Sequence, residues 1–349
     1  MSDEFRELLK RVGSGTHTSK DLSRAETATA TRMMLTQSAT PAQIGAFMIA
    51  HRIKRPTPEE LAGILDAFDQ LGNQLQVCPQ HQHQPVVLGN PYDGRDRTVP
   101  VTIITALTLA SAGIPVLLHG GDCLPTKYGI PLIQIWQHLG LDLTQNTLAQ
   151  AQQIYNQSQL GFIYLPQHFP AAANFVSFRE QIGKRPPFAT AELAWCPISG
   201  NAHLVAGFVH PPTESRFRET FKIRHTKDFT LVKGLEGSCD LSRSRTGIIA
   251  LSTSGEDFER LMLDPKEYGL NGSDIAFESY AQAIALIQEV IQGKDSALLP
   301  AAILNGGFYL WRFGIASTLD VGFTLAEKML KKGQVAAKLA QIQSLKSRQ

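Results

Sequence analysis

The stretch that decides the fold spans residues 95–140 and reads RDRTVPVTIITALTLASAGIPVLLHGGDCLPTKYGIPLIQIWQHLG. Its apolar-rich part, residues 98–110, predicts a helix that ends before Gly113. Residues 114–118 form a short continuous apolar run, which predicts a strand buried on both faces. Residues 119–122 then open a loop at the carboxyl end of that strand, where open α/β sheets bind ligands. The stretch therefore predicts an α/β sheet with a ligand-binding edge.

The charge of the chain is nearly balanced overall but unevenly distributed. The chain has 349 residues, of which 43% are hydrophobic, and a net charge of +2. This length supports a large core divided between two lobes. Residues 216–245 hold eight Lys and Arg against four acids, and residues 323–349 hold six against one. Such asymmetry indicates a surface that binds a polyanion. Two basic faces exposed to solvent explain the same pattern equally well.

The ends and cysteines of the sequence predict a cytoplasmic protein without a membrane partner. The first residues are charged and lack the apolar stretch of a signal peptide. The longest apolar region is interrupted by Gly113 and Pro115, so it predicts a helix and a strand rather than a membrane span. The four cysteines form no CxxC pair, which is typical of reduced thiols.

A small helical lobe is predicted over residues 1–78. Helices are expected to start after Ser23, at Pro41 and at Pro58, because Ser or Thr caps and an early Pro favour helix starts. Helices from about residue 170 to 195 are expected to join this lobe.

The remainder, residues 85–349, predicts a larger α/β lobe. Short apolar runs alternate with helical segments, which is typical of a mainly parallel central sheet. The expected strands are 86–88, 114–118, 161–165, 204–209 and 229–232. The fold class is therefore α/β, with a small all-helical N-terminal lobe and a larger α/β lobe.

The order of motifs resembles the anthranilate phosphoribosyltransferase family, whose glycosyltransferase fold is shared with nucleoside phosphorylases. The resemblance covers nearly the whole chain. It is carried by residues 39–44, 57–63, 112–116, His119-Gly120, 304–307 and Ala326-Glu327.

The resemblance implies transfer of a ribosyl 5-phosphate group from its diphosphate to an aromatic amine, with Mg²⁺ on the diphosphate. The positions that match the donor site are Asp93, Thr98, His119, Gly120 and Lys127. Arg179 matches the arginine that holds the acceptor carboxylate. Asp240 is the one carboxylate that remains of the metal-binding pair, whose other position is Cys239.

Several donor-site positions depart from the family pattern and predict a degraded donor site. Pro91 lacks an N–H group, and Tyr92 is bulky where a backbone must approach phosphate. Leu118 replaces a lysine, and Asp122 replaces an arginine, which reverses a charge directed at an anion. We therefore expect no assured catalytic residue and no assured cofactor.

These departures resemble a second, non-canonical branch of the family, which implies a homodimer that binds nucleic acid without strong sequence preference. The cations expected to contact the backbone phosphates are Arg95, Arg97, Lys184, Arg185, Arg216, Arg218, Lys222, Arg224, Lys233, Arg243 and Arg245.

Two other functions remain as alternatives. The first is a surviving pentosyl transferase that acts on anthranilate or a related aromatic acceptor, with Mg²⁺ as its cofactor and Asp240 as a weak ligand. The second is a ligand-sensing protein that keeps the cleft without turnover.

Overall fold

The computed structural model describes residues 3–15, 17–253 and 258–348. The helices are α1 (Asp3–Val12), α2 (Arg24–Leu35), α3 (Pro41–Lys54), α4 (Pro58–Leu71), α5 (Thr102–Ser111), α6 (Leu132–His138), α7 (Leu148–Ser158), α8 (Leu165–His168), α9 (Pro170–Ala173), α10 (Val176–Ile182), α11 (Phe188–Ala194), α12 (Pro211–Ile223), α13 (Tyr280–Ile291), α14 (Leu299–Arg312), α15 (Leu319–Lys331) and α16 (Gln334–Ser347). The strands are β1 (Leu75–Gln76), β2 (Val86–Leu88), β3 (Val116–Gly120), β4 (Leu160–Tyr164), β5 (Ile198–Ser199), β6 (His203–Gly207), β7 (Phe229–Val232), β8 (Gly247–Ser252) and β9 (Glu259–Leu263).

Helices α1 to α4 form a helical lobe, and α10 and α11 pack against α3 and α4. Each of α2, α3 and α4 starts with a capping box, in which Ser23, Thr40 or Thr57 exchanges hydrogen bonds with the residue three positions later. The starts predicted for these three helices are therefore confirmed.

The large lobe is built on a seven-stranded sheet in the order β4-β3-β2-β6-β7-β8-β9. The pairs from β4 to β7 are parallel, and β8 and β9 are antiparallel. The predicted α/β fold with a mainly parallel sheet is confirmed. The hairpin of β8 and β9 was not predicted, since β9 is an edge strand with an exposed side and a weak apolar pattern.

The chain crosses from one side of β2 to the other. It runs outward from β2 to β3 and β4, and it then returns to β6 on the opposite side of β2. This change of direction is a topological switch point, and ligands of open α/β sheets bind outside the carboxyl ends of the strands at such a point.

Helix α5 starts four residues later than predicted. Residues 98–101 remain in a loop, where the N–H of Thr98 and the N–H of Val101 bind carboxylates from the opposite side of the switch point. Among the described residues, no helix is long and apolar enough to cross a membrane.

A buried carboxylate anchors the helical lobe. Glu60 is fully buried and accepts hydrogen bonds from Leu22 N (3.0 Å) and Lys54 Nζ (2.7 Å). Its Oε2 lies 3.4 Å from His51 Nε2. Burial raises the pKa of Glu60, but the nearby His51 and the hydrogen bonds from Leu22 and Lys54 outweigh burial and lower the pKa to about 2.

We expect the stability difference between the wild-type protein and Glu60→Gln to shrink as the pH falls. The lowered pKa of Glu60 stabilises the fold above the unfolded-state pKa of about 4.3. That contribution, on the order of 3 kcal/mol, is lost as the pH falls towards the folded-state pKa. Urea denaturation of both proteins at neutral and acidic pH measures the difference. A difference that stays constant with pH would contradict this assignment.

Candidate anion-binding site

Three loops meet at the carboxyl ends of β2, β3 and β7, and they comprise residues 89–101, 121–131 and 233–240. The first two loops are joined by backbone hydrogen bonds from Gly129 N to Asp93 O (2.9 Å) and from Ile130 N to Arg95 O (2.9 Å). The third loop contacts the first through Glu236 and Asp240. The switch point of the sheet is therefore lined by charged side chains from all three loops.

Arg95 and Asp240 form a buried ion pair at the centre of the site. Arg95 is 3% exposed and Asp240 is 1% exposed. Arg95 Nη1 donates to Asp240 Oδ2, and Arg95 Nη2 donates to the hydroxyl of Thr98. Asp240 also accepts from Val101 N (2.9 Å) and from the Thr102 hydroxyl (2.9 Å). Each oxygen of the carboxylate thus accepts at least one hydrogen bond from the protein itself.

A second carboxylate, that of Glu236, lies in a cluster of donors that we call the anion nest. The anion nest consists of the N–H groups of residues 96–98, the hydroxyl of Thr98 and the amine of Lys127. The three N–H groups lie 3.0–3.2 Å from the Glu236 oxygens. The Thr98 hydroxyl lies at 2.9 Å and Lys127 Nζ at 2.7 Å. Successive backbone amides with a nearby cation form the usual cradle for an anion.

The donors of the anion nest stabilise the negative charge of Glu236. Burial raises the pKa of Glu236, but its hydrogen bonds with Asp96 and Lys127 outweigh burial and hold that pKa well below its usual range. The pKa of Asp96 is raised by burial and by the neighbouring Glu236. Glu236 is therefore ionised across the neutral pH range.

Two glycines allow the loop that carries Glu236 to lie against the sheet. A Cβ on Gly207 would lie 2.2 Å from the carbonyl oxygen of Gly237, and a Cβ on Gly234 would lie 1.9 Å from that of Ser238. Glu236 itself has a φ of 55°, a left-handed conformation that is uncommon for a residue with a side chain. The loop thus uses a strained backbone position to direct the carboxylate into the anion nest.

Asp93 and Arg185 connect the site to the segment between α10 and α11. Arg185 Nη2 donates to Asp93 Oδ1 at 2.6 Å, and Asp93 is 1% exposed. The Tyr128 hydroxyl donates to Glu180 Oε1 at 3.2 Å across the same boundary. Asp93 is therefore bound by a cation of the protein, which leaves its Oδ2 as a buried acceptor with no hydrogen bond in the described residues.

His119 does not reach the anion nest. It is fully buried, its Nδ1 lies 2.6 Å from the Tyr92 hydroxyl, and its ring packs at 5.5 Å from that of Trp195. Burial lowers the pKa of His119 to about 3, so the ring is neutral at physiological pH. The rings of Tyr92 and Trp195 lie against His119, and its role as a donor-site residue stays a prediction. Gly120 follows it in the strand and is also buried.

Arg179 is already bound by a carboxylate of the protein. Its Nη1 lies 2.6 Å and its Nη2 3.3 Å from the two oxygens of Glu192, and both residues are buried. Burial raises the pKa of Glu192 although Arg179 opposes the shift. Glu192 takes the position of an acceptor carboxylate at both terminal nitrogens of Arg179, and the acceptor role of Arg179 stays a prediction.

The residues at the expected metal position do not fit Mg²⁺. This ion is bound by oxygen ligands, mostly carboxylates and water. Both oxygens of Asp240 are occupied by donors, and burial raises the pKa of the Cys239 thiol well above its usual value. The described residues contain no cluster of three or more His, Cys, Asp or Glu that could hold a metal. The guanidinium of Arg95 lies where the prediction placed a cation beside Asp240.

The eleven cations predicted to bind nucleic acid divide into two groups. Three are ion-paired, namely Arg95 with Asp240, Arg185 with Asp93, and Arg224 with Asp66 and Asp69. The other eight have no ion pair among the described residues, and of these Arg243 donates to the carbonyl groups of Leu270 and Asn271. The remaining seven are Arg97, Lys184, Arg216, Arg218, Lys222, Lys233 and Arg245. Contact of these cations with nucleic acid stays a prediction.

Sequence reasoning missed Glu236 and Glu192. Glu236 stands in the run Gly234-Leu235-Glu236-Gly237, and the two flanking glycines were a signal for a tight turn. Glu192 lies inside an apolar helix, where a carboxylate needs a buried partner. Neither signal identifies the partner, since the partners come from distant parts of the chain.

The family comparison covers most of the chain. Residues 6–72 match the model described as "Glycosyl transferase family, helical bundle domain". Residues 93–336 match the model described as "Glycosyl transferase family, a/b domain". The two matched segments correspond to the helical lobe and to the lobe that contains the anion nest.

Similar proteins carry one recurring name. Anthranilate phosphoribosyltransferases of Rhodopseudomonas palustris and of a Bradyrhizobium species are 27% and 28% identical, and each alignment covers 97% of both chains. The solved structure of the Saccharomyces cerevisiae anthranilate phosphoribosyltransferase, in complex with PRPP and Mg, has a TM-score of 0.85 at 15% identity and covers 100% of this chain and 99% of that one. The Thermus thermophilus enzyme has a TM-score of 0.78 at 18% identity, with 99% of each chain covered. This chain therefore belongs to the glycosyl transferase family of the anthranilate phosphoribosyltransferases and has their fold.

Proposed function

We propose that the protein transfers a phosphoribosyl or related pentosyl group from its diphosphate to anthranilate or a related aromatic acceptor. The observation that carries the proposal is the anion nest. Its three backbone N–H groups, one hydroxyl and one ammonium group all donate to the carboxylate of Glu236. Such a set of donors suits a phosphate group. The relatives that match along nearly the whole chain support the same reaction class.

In the proposed reaction, the bond between the anomeric carbon and the diphosphate breaks, and a bond from the acceptor nitrogen to that carbon forms. The diphosphate leaves with the bonding electrons, and the acceptor nitrogen loses a proton to solvent. The anion nest would stabilise the charge that develops on the leaving group. Because Asp240 is occupied by Arg95, Mg²⁺ would enter as a counter-ion of the donor and not as an ion held by the protein.

The acceptor must be recognised without a free Arg179. An acceptor carboxylate would have to displace Glu192, which holds both terminal nitrogens of Arg179. Uncharged nucleobases therefore belong in the test beside anthranilate.

The test measures product by mass spectrometry after incubation with the ribosyl diphosphate donor and each acceptor, with and without Mg²⁺. We expect product from the wild-type protein and a rate reduced roughly 100-fold in Lys127→Met, since one donor to the leaving group is lost. Lys222→Met removes an exposed lysine of α12 and serves as the matched control. The absence of product with every acceptor would overturn the proposal.

We propose nucleic-acid binding as a second candidate function. The observation that favours it is the set of cations without an ion pair among the described residues, of which Arg97, Lys184, Lys222 and Arg245 are exposed. Exposed cations that are not neutralised by the protein can replace the counter-ions of a phosphate backbone.

Titration with a single-stranded oligonucleotide at two ionic strengths tests this second function. We expect affinity to fall steeply with salt, and we expect Lys222→Glu and Arg245→Glu to weaken it further. Affinity that does not depend on salt, or no binding at low salt, would exclude it. Light scattering on the same samples tests the homodimer, which remains a proposal.

A further inference from the structure

We propose that Glu236 is an intramolecular occupant of the anion nest, and that a terminal phosphate or diphosphate binds there by displacing it. The proposal rests on the donor site proposed above and concerns how that site is regulated. In the protein without a ligand, the carboxylate of Glu236 therefore fills the anion nest.

The contacts of Glu236 are those that a bound phosphate would make. Oε1 accepts from the N–H groups of Arg97 (3.2 Å) and Thr98 (3.0 Å) and from the Thr98 hydroxyl (2.9 Å). Oε2 accepts from the N–H of Asp96 (3.2 Å) and from Lys127 Nζ (2.7 Å). These donors belong to the loops after β2 and β3, whereas Glu236 belongs to the loop after β7. The donors and Glu236 therefore come from different loops.

An unpartnered donor lies beside the anion nest. Nε of Arg95 is buried and has no hydrogen-bond acceptor in the described residues, although it lies 3.6 Å from Glu236 Oε1. A carboxylate has two oxygens and leaves this N–H unused, whereas a terminal phosphate has three. Phosphate would therefore satisfy one more buried donor than Glu236 does.

The loop that carries Glu236 is suited to release the side chain. Residues 235–237 form a tight turn, and no strand pairing involves them. Withdrawal of the carboxylate breaks the contacts of one side chain and leaves the pairing of β7 with β6 and β8 intact. The three N–H groups then lack the acceptor that Glu236 provides, and Lys127 keeps only its ion pair with Asp96 at 3.5 Å.

The number of phosphate oxygens that can accept hydrogen bonds indicates the class of ligand. A terminal phosphoryl group offers three charged or partly charged oxygens to one compact set of donors. A phosphodiester within an oligonucleotide offers two. We therefore assign the anion nest to terminal phosphate or diphosphate, and an oligonucleotide serves as a comparison ligand.

Isothermal titration with inorganic pyrophosphate tests the proposal on the full chain. Glu236→Gly removes the occupant and also suits the left-handed backbone at this position. Glu236→Gln keeps the shape and removes the charge, so it tests the same contact if the glycine variant fails to fold. Glu219→Gln removes an exposed carboxylate of α12 and is the matched control.

We expect both Glu236 variants to bind pyrophosphate at least roughly tenfold more tightly than the wild type and the Glu219 variant, because one charge-assisted contact no longer competes. Addition of Lys127→Met to Glu236→Gly should remove the gain. Equal affinity of all proteins, or a gain for the oligonucleotide alone, would overturn the assignment.

The two proposals fail in different ways. Tighter pyrophosphate binding without any pentosyl product would support the role of Glu236 and contradict the transferase. Product formation by the wild type together with unchanged pyrophosphate affinity in the Glu236 variants would do the reverse.

Discussion

Replacing Arg95 by methionine is expected to lower the free energy of unfolding by about 3–5 kcal/mol, the cost of leaving one member of a buried ion pair without its partner. Asp240 is 1% exposed and its Oδ2 accepts from Arg95. Without the guanidinium, the carboxylate keeps only neutral donors, Val101 N and the Thr102 hydroxyl. Urea denaturation followed by circular dichroism measures the loss.

Two further variants separate the ion pair from general effects of losing an arginine. Arg97→Met removes an exposed arginine two positions away, and we expect a change within about 0.5 kcal/mol. The double variant Arg95→Met with Asp240→Asn should recover a large part of the lost stability, since the charge of Asp240 is removed together with its partner. A single Arg95→Met variant as stable as the wild type would contradict the buried ion pair.

The ion pair of Arg95 and Asp240 also predicts how the protein responds to Mg²⁺. We expect millimolar Mg²⁺ to leave the melting temperature of the wild-type protein unchanged, because a ligand stabilises only a state that binds it. Arg95 and the donors around Asp240 already take the positions that a metal would need.

The second large effect is expected at Arg179 and Glu192. Replacing Arg179 by methionine leaves Glu192, which is 5% exposed, without its cation. We expect a loss of about 3–5 kcal/mol at neutral pH. Since burial already raises the pKa of Glu192, the isolated carboxyl should take up a proton in mild acid, and the loss should be smaller there.

Denaturation at neutral and mildly acidic pH checks this second expectation. The double variant Arg179→Met with Glu192→Leu should be more stable than Arg179→Met alone, because it removes the unpaired charge. Glu180→Gln, at an exposed position of α10, should behave like the wild type. Full stability of Arg179→Met would contradict the stabilising role assigned to this ion pair.

Much of the fold follows from local sequence signals. The capping residues Ser23, Thr40 and Thr57 predicted the starts of three helices, and the apolar run at residues 229–232 predicted β7 at its observed bounds. These signals act between residues close in the chain. The hairpin of β8 and β9 lacked such a signal on its exposed strand.

The candidate site could be predicted only as a set of residues, because its pairings are not local. Arg95 and Asp240 are 145 positions apart, and Lys127 and Glu236 are 109 apart. Their contact depends on the order of strands in the sheet, which brings the loops after β2, β3 and β7 together. The sequence predicted that the family's donor site is altered. It could not show that Asp240 pairs with Arg95 or that Glu236 pairs with Lys127.

A crystal structure of Glu236→Gly with inorganic pyrophosphate tests directly whether Glu236 occupies a phosphate site. We expect a phosphate group within hydrogen-bond distance of the backbone nitrogens of residues 96–98 and of Lys127 Nζ, with Arg95 still bound to Asp240. Pyrophosphate bound elsewhere while these donors have no anion would contradict it.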